Sequence, residues 1–264
     1  MKIHPTAIVS KKANIDSSAQ IGPYSIVEEG VVIGKNTELL AHAHICKGTS
    51  LGEGCVVHMG AVLGDEPQDL SYKGEVSYLE IGNNNIFREH VTLHRATGEG
   101  RVTKVGNSNY FMALSHVGHN SIIGNHVVLC NCTLIAGHVH IHDKAFLSGA
   151  CLVHQFTRIG TLAFLGGGTT ATKDVPPFMM LGNRNEITGY NKVGIQRAGL
   201  SLEARKVIKD AYKILFTSGD NLTNAMRELD KLPLTKEIKI LKEFFSSTKR
   251  GVCLKIRTKN RLHK

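Results

Sequence analysis

Nine of the fourteen histidines in this chain of 264 residues fall between His90 and His154. Imidazole exchanges its proton near neutral pH, so such a concentration is the first place to look for general acid–base chemistry. Three positions in the stretch share an interval. His119, Gly137 and Gln155 stand eighteen residues apart, with His138 beside the second and His154 beside the third. If the chain returns to the same place every eighteen residues, an imidazole comes to rest roughly 5 Å from a glycine amide. A base beside an N–H donor is the minimum that acyl transfer requires. One group takes the nucleophile's proton, and the other meets the charge that develops on the attacked carbonyl oxygen.

The eighteen-residue return is visible in the hydrophobic pattern. Stepping by six from Ile3 to Ala171 gives 29 stations, of which 26 are apolar. The residue four places after each station is small or β-branched almost throughout, as at Ala7, Ala13, Ala19, Ser25, Val31 and Thr37, and glycine often follows the station, as at Gly22, Gly34 and Gly106. A period of six is neither the 3.6 of a helix nor the two of a strand. It suits a short strand followed by a corner, with station and small residue pointing inward and glycine or asparagine expected in the strained corner conformation. Three hexads per coil resemble the left-handed parallel β-helix of the hexapeptide-repeat acyltransferases, a mainly β, three-sided prism. The left hand comes from that resemblance alone, since ordinary crossovers are right-handed.

The stations that fail are Asp69 and Glu75, within 65–78, and Glu99, within 98–104. Two loops therefore leave the prism and return, and long loops on a rigid scaffold tend to carry function. Near residue 190 the hexads stop. Ser201 is placed to cap a helix through LEARKVIKDAYKILFTSG ending at Gly219, and further helices are predicted over 222–232, before Pro233, and over 236–247. The expected organisation is a β-helix over 1–190 with loops at 65–78 and 98–104, then a small α-helical domain over 191–264 with a basic tail.

Residues 1–189 carry 14 Lys/Arg against 15 Asp/Glu, and residues 190–264 carry 18 against 7, so the net charge of +10 belongs to the C-terminal part. The closing KRGVCLKIRTKNRLHK holds seven bases and no acid, which suits an acidic partner. No aromatic stacking platform accompanies the charge, so a nucleic-acid partner is not expected. There is no apolar run of eighteen residues and no secretion signal at the start, which points to a cytoplasmic protein without stable membrane insertion. The six cysteines form no CxxC pair and read as small core residues. HVHIH (138–142) sets three imidazoles at different hexad positions, and the H-x4-H of zinc hydratases on such solenoids is absent. Neither a metal nor a cofactor is expected.

Eight motifs then occur in order: SHVGHN (115–120), IAGHV (135–139), VHQF (153–156), DVPP (174–177), GN (182–183), QRAG (196–199), AYK (211–213) and RG (250–251). Together they resemble the UDP-N-acetylglucosamine 3-O-acyltransferases of lipid A synthesis from Met1 to about Gly251. The resemblance implies transfer of an R-3-hydroxyacyl chain from acyl carrier protein to the 3-position of UDP-N-acetylglucosamine, or of its 3-amino analogue. It implies a homotrimer with sites between prisms. His119 matches the general base and Gly137 the oxyanion-binding amide. Gln68, Asp69, His94, His116, His138, His154 and Gln155 match residues lining the sugar and nucleotide site. Asn191 and Arg197 match uridine and phosphate contacts from a neighbouring subunit, and Gly167 matches the boundary of the acyl groove, where glycine leaves room for a longer chain. The chain departs from the pattern at four positions. Asn120 follows the base where an aspartate is usual, and would orient the ring without charge. Ser71 stands where lysine is common, Val193 replaces an acid, and Ala198 replaces the second arginine of a pair. The enzymatic alternatives are the N-acyltransferase of the same pathway and a CoA-dependent acetyltransferase; the non-enzymatic one is a β-helical binding scaffold.

Overall fold

The computed structural model describes residues 2–255. Each hexad becomes a strand, usually of two residues, followed by a corner, and successive strands are dealt in turn to three sheets. Face A starts with Lys2–Ile3, face B with Ile8–Val9 and face C with Asn14–Ile15, and all three grow by parallel pairing. The register steps by eighteen residues, as in Ile3↔Ile21 and His116↔Leu134. Station side chains fill the prism. Phe87 and Phe111 stack in its centre with ring centroids 4.9 Å apart. Ile3 is 38% exposed whereas Ile21, one coil on, is 2% exposed, because the first coil has a neighbour on one side only.

The small polar residues of the corners have a specific task. Ser25 Oγ donates to the Leu40 carbonyl at 2.7 Å, Thr37 Oγ1 to Gly52 at 2.8 Å and Ser121 Oγ to Ala136 at 3.1 Å. These three buried hydroxyls are thereby satisfied by the following coil, whereas those of Ser115 and Thr157 at the same hexad position are buried without a partner among the described residues.

The corner conformation differs from the expectation. Positive φ falls three residues after most stations from Ile21 onward, largely on non-glycine residues such as Tyr24 (φ 57), Asn36 (φ 54) and Leu162 (φ 56), rather than on the glycines that follow the apolar stations, Gly64 (φ 86) excepted. What holds them there is an inter-coil hydrogen bond: the N–H of His42 reaches the Pro23 carbonyl at 2.9 Å, and that of His138 reaches His119 at 2.8 Å. The left-handed cost of roughly 1–2 kcal/mol is offset by coil-to-coil pairing repeated along the edge. The glycines after stations serve close approach instead. A Cβ on Gly34 would stand 2.6 Å from the Gly52 carbonyl of the next coil.

Both excursions occur on the passage from face B to face C: one between Val62–Asp65 and Tyr78–Ile81, the other between Thr92–His94 and Val102–Val105. They therefore leave the same edge of the prism, and the next coil presents His119 at that edge. Beyond the last coil, Met179–Asn183 pairs with face A and turns into an antiparallel strand, Glu186–Tyr190.

Among the described residues four helices follow: α1 (Lys192–Arg197), α2 (Leu202–Phe216), α3 (Leu222–Leu229) and α4 (Lys236–Ser246). Ser201 caps α2 through the Ala204 N–H, as expected, while α1 carries no helical periodicity in the sequence and was not anticipated. The helical unit is fastened to the prism by Arg158, which pairs with the buried Asp174, donates to the Phe244 carbonyl and lies over the Phe244 ring at 4.3 Å. The basic closing stretch is not uniformly solvated. Val252 and Cys253 are buried, and bridges join Val252 to Asp174 and Leu254 to Glu186. The part of the basic tail at 256–264 lies outside the described residues. Among the cysteines, Cys46, Cys55, Cys151 and Cys253 are core residues, but Cys132 is exposed at a left-handed corner, which corrects the uniform core reading. Among the described residues no helix is long and apolar enough to cross a membrane.

Candidate active site

His119 lies on the B–C edge, 7% exposed, with its ring laid over Gly137 of the next coil. A Cβ added at Gly137 would stand 2.5 Å from His119 Nε2, so only glycine admits the ring in this position. The neighbouring amides are committed: Ala136 N–H donates to Val153 and His138 N–H to His119. Among the described residues no hydrogen bond occupies the Gly137 N–H. His119 and Gly137 therefore stand in the expected column.

The other side of the ring is fixed. Asn120 Oδ1 lies 2.8 Å from His119 Nδ1 and also accepts the Thr97 N–H at 2.9 Å, while Asn120 Nδ2 donates to the Thr97 carbonyl at 3.0 Å. This two-way pairing with the backbone N–H and C=O of one residue sets the direction of the amide. Its oxygen faces Nδ1, so Nδ1 carries the hydrogen and Nε2 keeps its lone pair. Asn120 itself sits at φ 59, held by its N–H bond to Thr103 Oγ1 at 2.8 Å.

The first loop brings Asp69 to the basic nitrogen, with Oδ2 3.8 Å from His119 Nε2. The Ser71 N–H and hydroxyl both donate to Asp69 Oδ1 at 2.9 Å and hold its carboxyl below the usual carboxylate range. Ser71, one of the departures from the resembled pattern, thus shapes the loop. Arg95, 3% exposed, staples it by donating to the Gly64 carbonyl at 3.0 Å, Glu66 Oε1 at 3.1 Å and the Tyr72 hydroxyl at 2.9 Å. The two loops interlock where Gly98 N–H donates to Glu75 Oε1 at 2.8 Å. Thr97, Arg95 and Glu75 were not singled out for the site. The countable signal was that both interruptions fall on the same strand-to-strand passage.

His138 meets the His119 ring edge to face at 5.2 Å and stacks on Phe156 at 4.8 Å. His94 and His116 form a second pair at 5.1 Å. Burial, followed by the neighbouring His94 and His119, depresses His116 to about 4, and burial lowers His94 as well. Both are uncharged at neutral pH, His116 Nδ1 engages Thr92 Oγ1 at 2.8 Å, and His94 Nδ1 is buried without a partner. Gln155 occupies the next coil at this edge and His154 turns Nδ1 to the Gln155 carbonyl at 3.2 Å. Gln68 is exposed on the first loop. Gly167 lies on the opposite margin of face B, at the A–B edge. Across the face between that margin and His119 run His116, Leu134, Leu152 and Thr170, with the two leucines 45% and 44% exposed. HVHIH does not converge on one point: His138 belongs to the site, while His140 and His142 stack at 4.0 Å against α4.

Asn191 and Arg197 are not brought to His119 within one chain. They line a groove of about 770 Å³ on face A with His126, Lys144, Phe146 and Lys192, and Val193 and Ala198 stand at its rim. Asn191 is the cap of α1, its Oδ1 accepting the Gly194 N–H at 2.8 Å and its Nδ2 donating to the Leu162 carbonyl at 2.9 Å. Its side chain positions the groove wall, and the lysines and arginine lining it among the described residues are Lys144, Lys192 and Arg197.

Residues 174–253 match the family described as Udp N-acetylglucosamine O-acyltransferase, domain 2, and residues 30–65 match the bacterial transferase hexapeptide family of six repeats. The acyl-(acyl-carrier-protein)–UDP-N-acetylglucosamine O-acyltransferase of Thermodesulfovibrio yellowstonii is 45% identical, the match covering 96% of this chain and 99% of that protein. The protein of the same name from Stutzerimonas stutzeri is 40% identical, covering 95% and 98%. The solved UDP-N-acetylglucosamine acyltransferase from Bacteroides fragilis superposes with a TM-score of 0.91 at 37% identity over 97% of this chain and all of that one. The Francisella novicida enzyme gives 0.92 at 37%, over 96% and 94%. The chain is a left-handed parallel β-helical acyltransferase and belongs to the UDP-N-acetylglucosamine O-acyltransferase family.

Proposed function

We propose that the protein transfers an R-3-hydroxyacyl chain from acyl carrier protein to the 3-hydroxyl of UDP-N-acetylglucosamine, as a homotrimer whose sites combine residues of two chains. One observation carries this reading: a histidine whose Nε2 is free for a proton lies directly over an unoccupied backbone N–H, and its Nδ1 is tied down behind it. His119 Nε2 takes the proton of the sugar hydroxyl as that oxygen attacks the thioester carbon. The carbonyl oxygen, now negative, accepts the Gly137 N–H. The tetrahedral intermediate collapses with cleavage of the C–S bond, and the imidazolium returns its proton to the departing thiolate. Asp69 lies on the Nε2 side, where its charge stabilises the imidazolium while its free oxygen accepts from a sugar hydroxyl. The neutral His94 and His116 offer uncharged hydrogen-bonding groups to the sugar.

Two further features support the reading. Face B gives an acyl chain an apolar path over Leu134 and Leu152 toward Gly167. The cations of the face A groove suit a diphosphate, and packing prisms face to edge supplies that groove to a neighbour's His119. The test is mass spectrometry of products from a panel of hydroxyacyl carrier proteins with UDP-N-acetylglucosamine and its 3-amino analogue. An ester product is expected, and it should vanish in His119→Ala while the trimer persists. Amide product only, or acceptance of acetyl-CoA alone, assigns the chain to one of the alternatives instead.

A further inference from the structure

Three coils from His116 along face B, a separate group of side chains converges. Glu28 and Cys46 are eighteen residues apart and therefore occupy the same position on consecutive coils, both on the B–C edge. His44 stands on the strand that leads into Cys46. The carboxylate oxygen, imidazole nitrogen and sulfur of these residues all lie within 4.8 Å of one another. Glu28 Oε1 is 2.9 Å from His44 Nε2, and Glu28 Oε2 is held by the Lys47 N–H at 2.9 Å, so the carboxylate is aimed from the backbone. The three donors come from adjacent coils of a rigid solenoid, so bringing them together has no loop-ordering cost. Cys46 is buried, while His44 and Glu28 are about one-third exposed, which leaves an open side for water.

We propose that Glu28, His44 and Cys46 form a zinc site that fastens the foot of the first active-site loop. One oxygen, one nitrogen and one sulfur are the borderline donor set that zinc prefers, with water as the fourth ligand. Tetrahedral coordination places such ligand atoms about 3.3–3.7 Å apart, a closure of about 1 Å that side-chain rotation supplies. Binding exchanges the Glu28–His44 hydrogen bond for two metal bonds and releases the Cys46 thiol proton to solvent. The location explains the consequence. The Cys46 N–H donates to Leu63, immediately before the chain departs at Asp65 into the loop that carries Asp69. The site lies roughly 14 Å from His116 at the coil spacing, so it is structural and takes no part in the transfer step. Sequence patterns for metals miss it because its spacing follows the coil rather than any linear motif.

The test is a Co²⁺ titration of the full-length, chelator-treated and reduced protein, followed by absorbance. The expected result is one equivalent bound, with intense tetrahedral d–d bands and a thiolate-to-cobalt charge-transfer band, all displaced by Zn²⁺. Cys46→Ser removes the charge-transfer band. His44→Ala, a partly exposed position that keeps the fold, weakens cobalt binding at least tenfold. It also abolishes the rise of several degrees in Tm that Zn²⁺ gives the unaltered protein. Absence of a charge-transfer band in the unaltered protein, or its persistence in Cys46→Ser, overturns the proposal.

Discussion

Gly137→Ala isolates the contact on which the chemistry rests. A methyl there would stand 2.5 Å from His119 Nε2, 2.7 Å from Cε1 and 3.0 Å from Cδ2, against about 3.4 Å for ordinary contact, so the ring must withdraw by about 1 Å. A displacement of that size at a reacting group costs on the order of 10² in rate, and loss of an oxyanion donor costs 10²–10³. The two losses share one geometric cause and should not multiply, giving an expected kcat lowered roughly 10²–10³-fold. The fold should tolerate the change. Gly137 is not among the positive-φ residues, so alanine fits the backbone and Tm should stay within a few degrees. Single-turnover measurement of acyl transfer from hydroxyacyl carrier protein, alongside a melting curve, separates the two effects. A folded variant with kcat within threefold of the unaltered enzyme would remove both the ring position and the amide from the mechanism.

Asn120→Asp puts a charge behind the base, which raises the pH of the acid limb of kcat/KM by about one unit; Asn120→Ala frees the tautomer and lowers kcat by about tenfold or more, both read from pH–rate profiles. Arg95→Met leaves the Gly64 carbonyl and the Tyr72 hydroxyl without their buried partner, so the first loop loosens and KM for the sugar nucleotide rises severalfold, measured by initial rates. Burial depresses His142 to about 4 from 6.5. The folded state then binds fewer protons than the unfolded chain between those values. Stability is full above pH 6.5 and declines as pH falls toward 4, and His142→Asn should flatten that limb in Tm-against-pH curves.

The hexad was legible because its requirement is repeated: every station meets the same interior, so 26 apolar stations locate the strands before any coordinates exist. The base–amide column followed from the same arithmetic. Corner chemistry was misjudged because a local rule, glycine for positive φ, was applied where the deciding bond runs to the preceding coil, as from His138 N–H to His119. Thr97 and Arg95 escaped notice for a related reason. They lie where the chain leaves the hexad, so phase places neither, and their partners Asn120 and Gly64 are more than twenty residues away. Val252 and Leu254, which return to Asp174 and Glu186, likewise carry no local sign of their destination.

The separation of His119 from the face A groove has a quantitative consequence. If a cyclic trimer assembles each site from the B–C edge of one chain and the groove of the next, His119→Ala and Arg197→Ala damage opposite halves. Mixed trimers can then contain intact sites although neither parent does. For random assembly at equal concentration, a site needs its base from an Arg197→Ala chain and its guanidinium from a His119→Ala chain, each with probability one-half. About a quarter of all sites should therefore be restored. Co-refolding the two variants and measuring transfer should give about a quarter of unaltered activity, peaking at equal input and falling toward either parent. If each chain held a complete site, every site in the mixture would carry one lesion or the other. Activity would then follow the weighted mean of the two variants at every ratio, with no maximum.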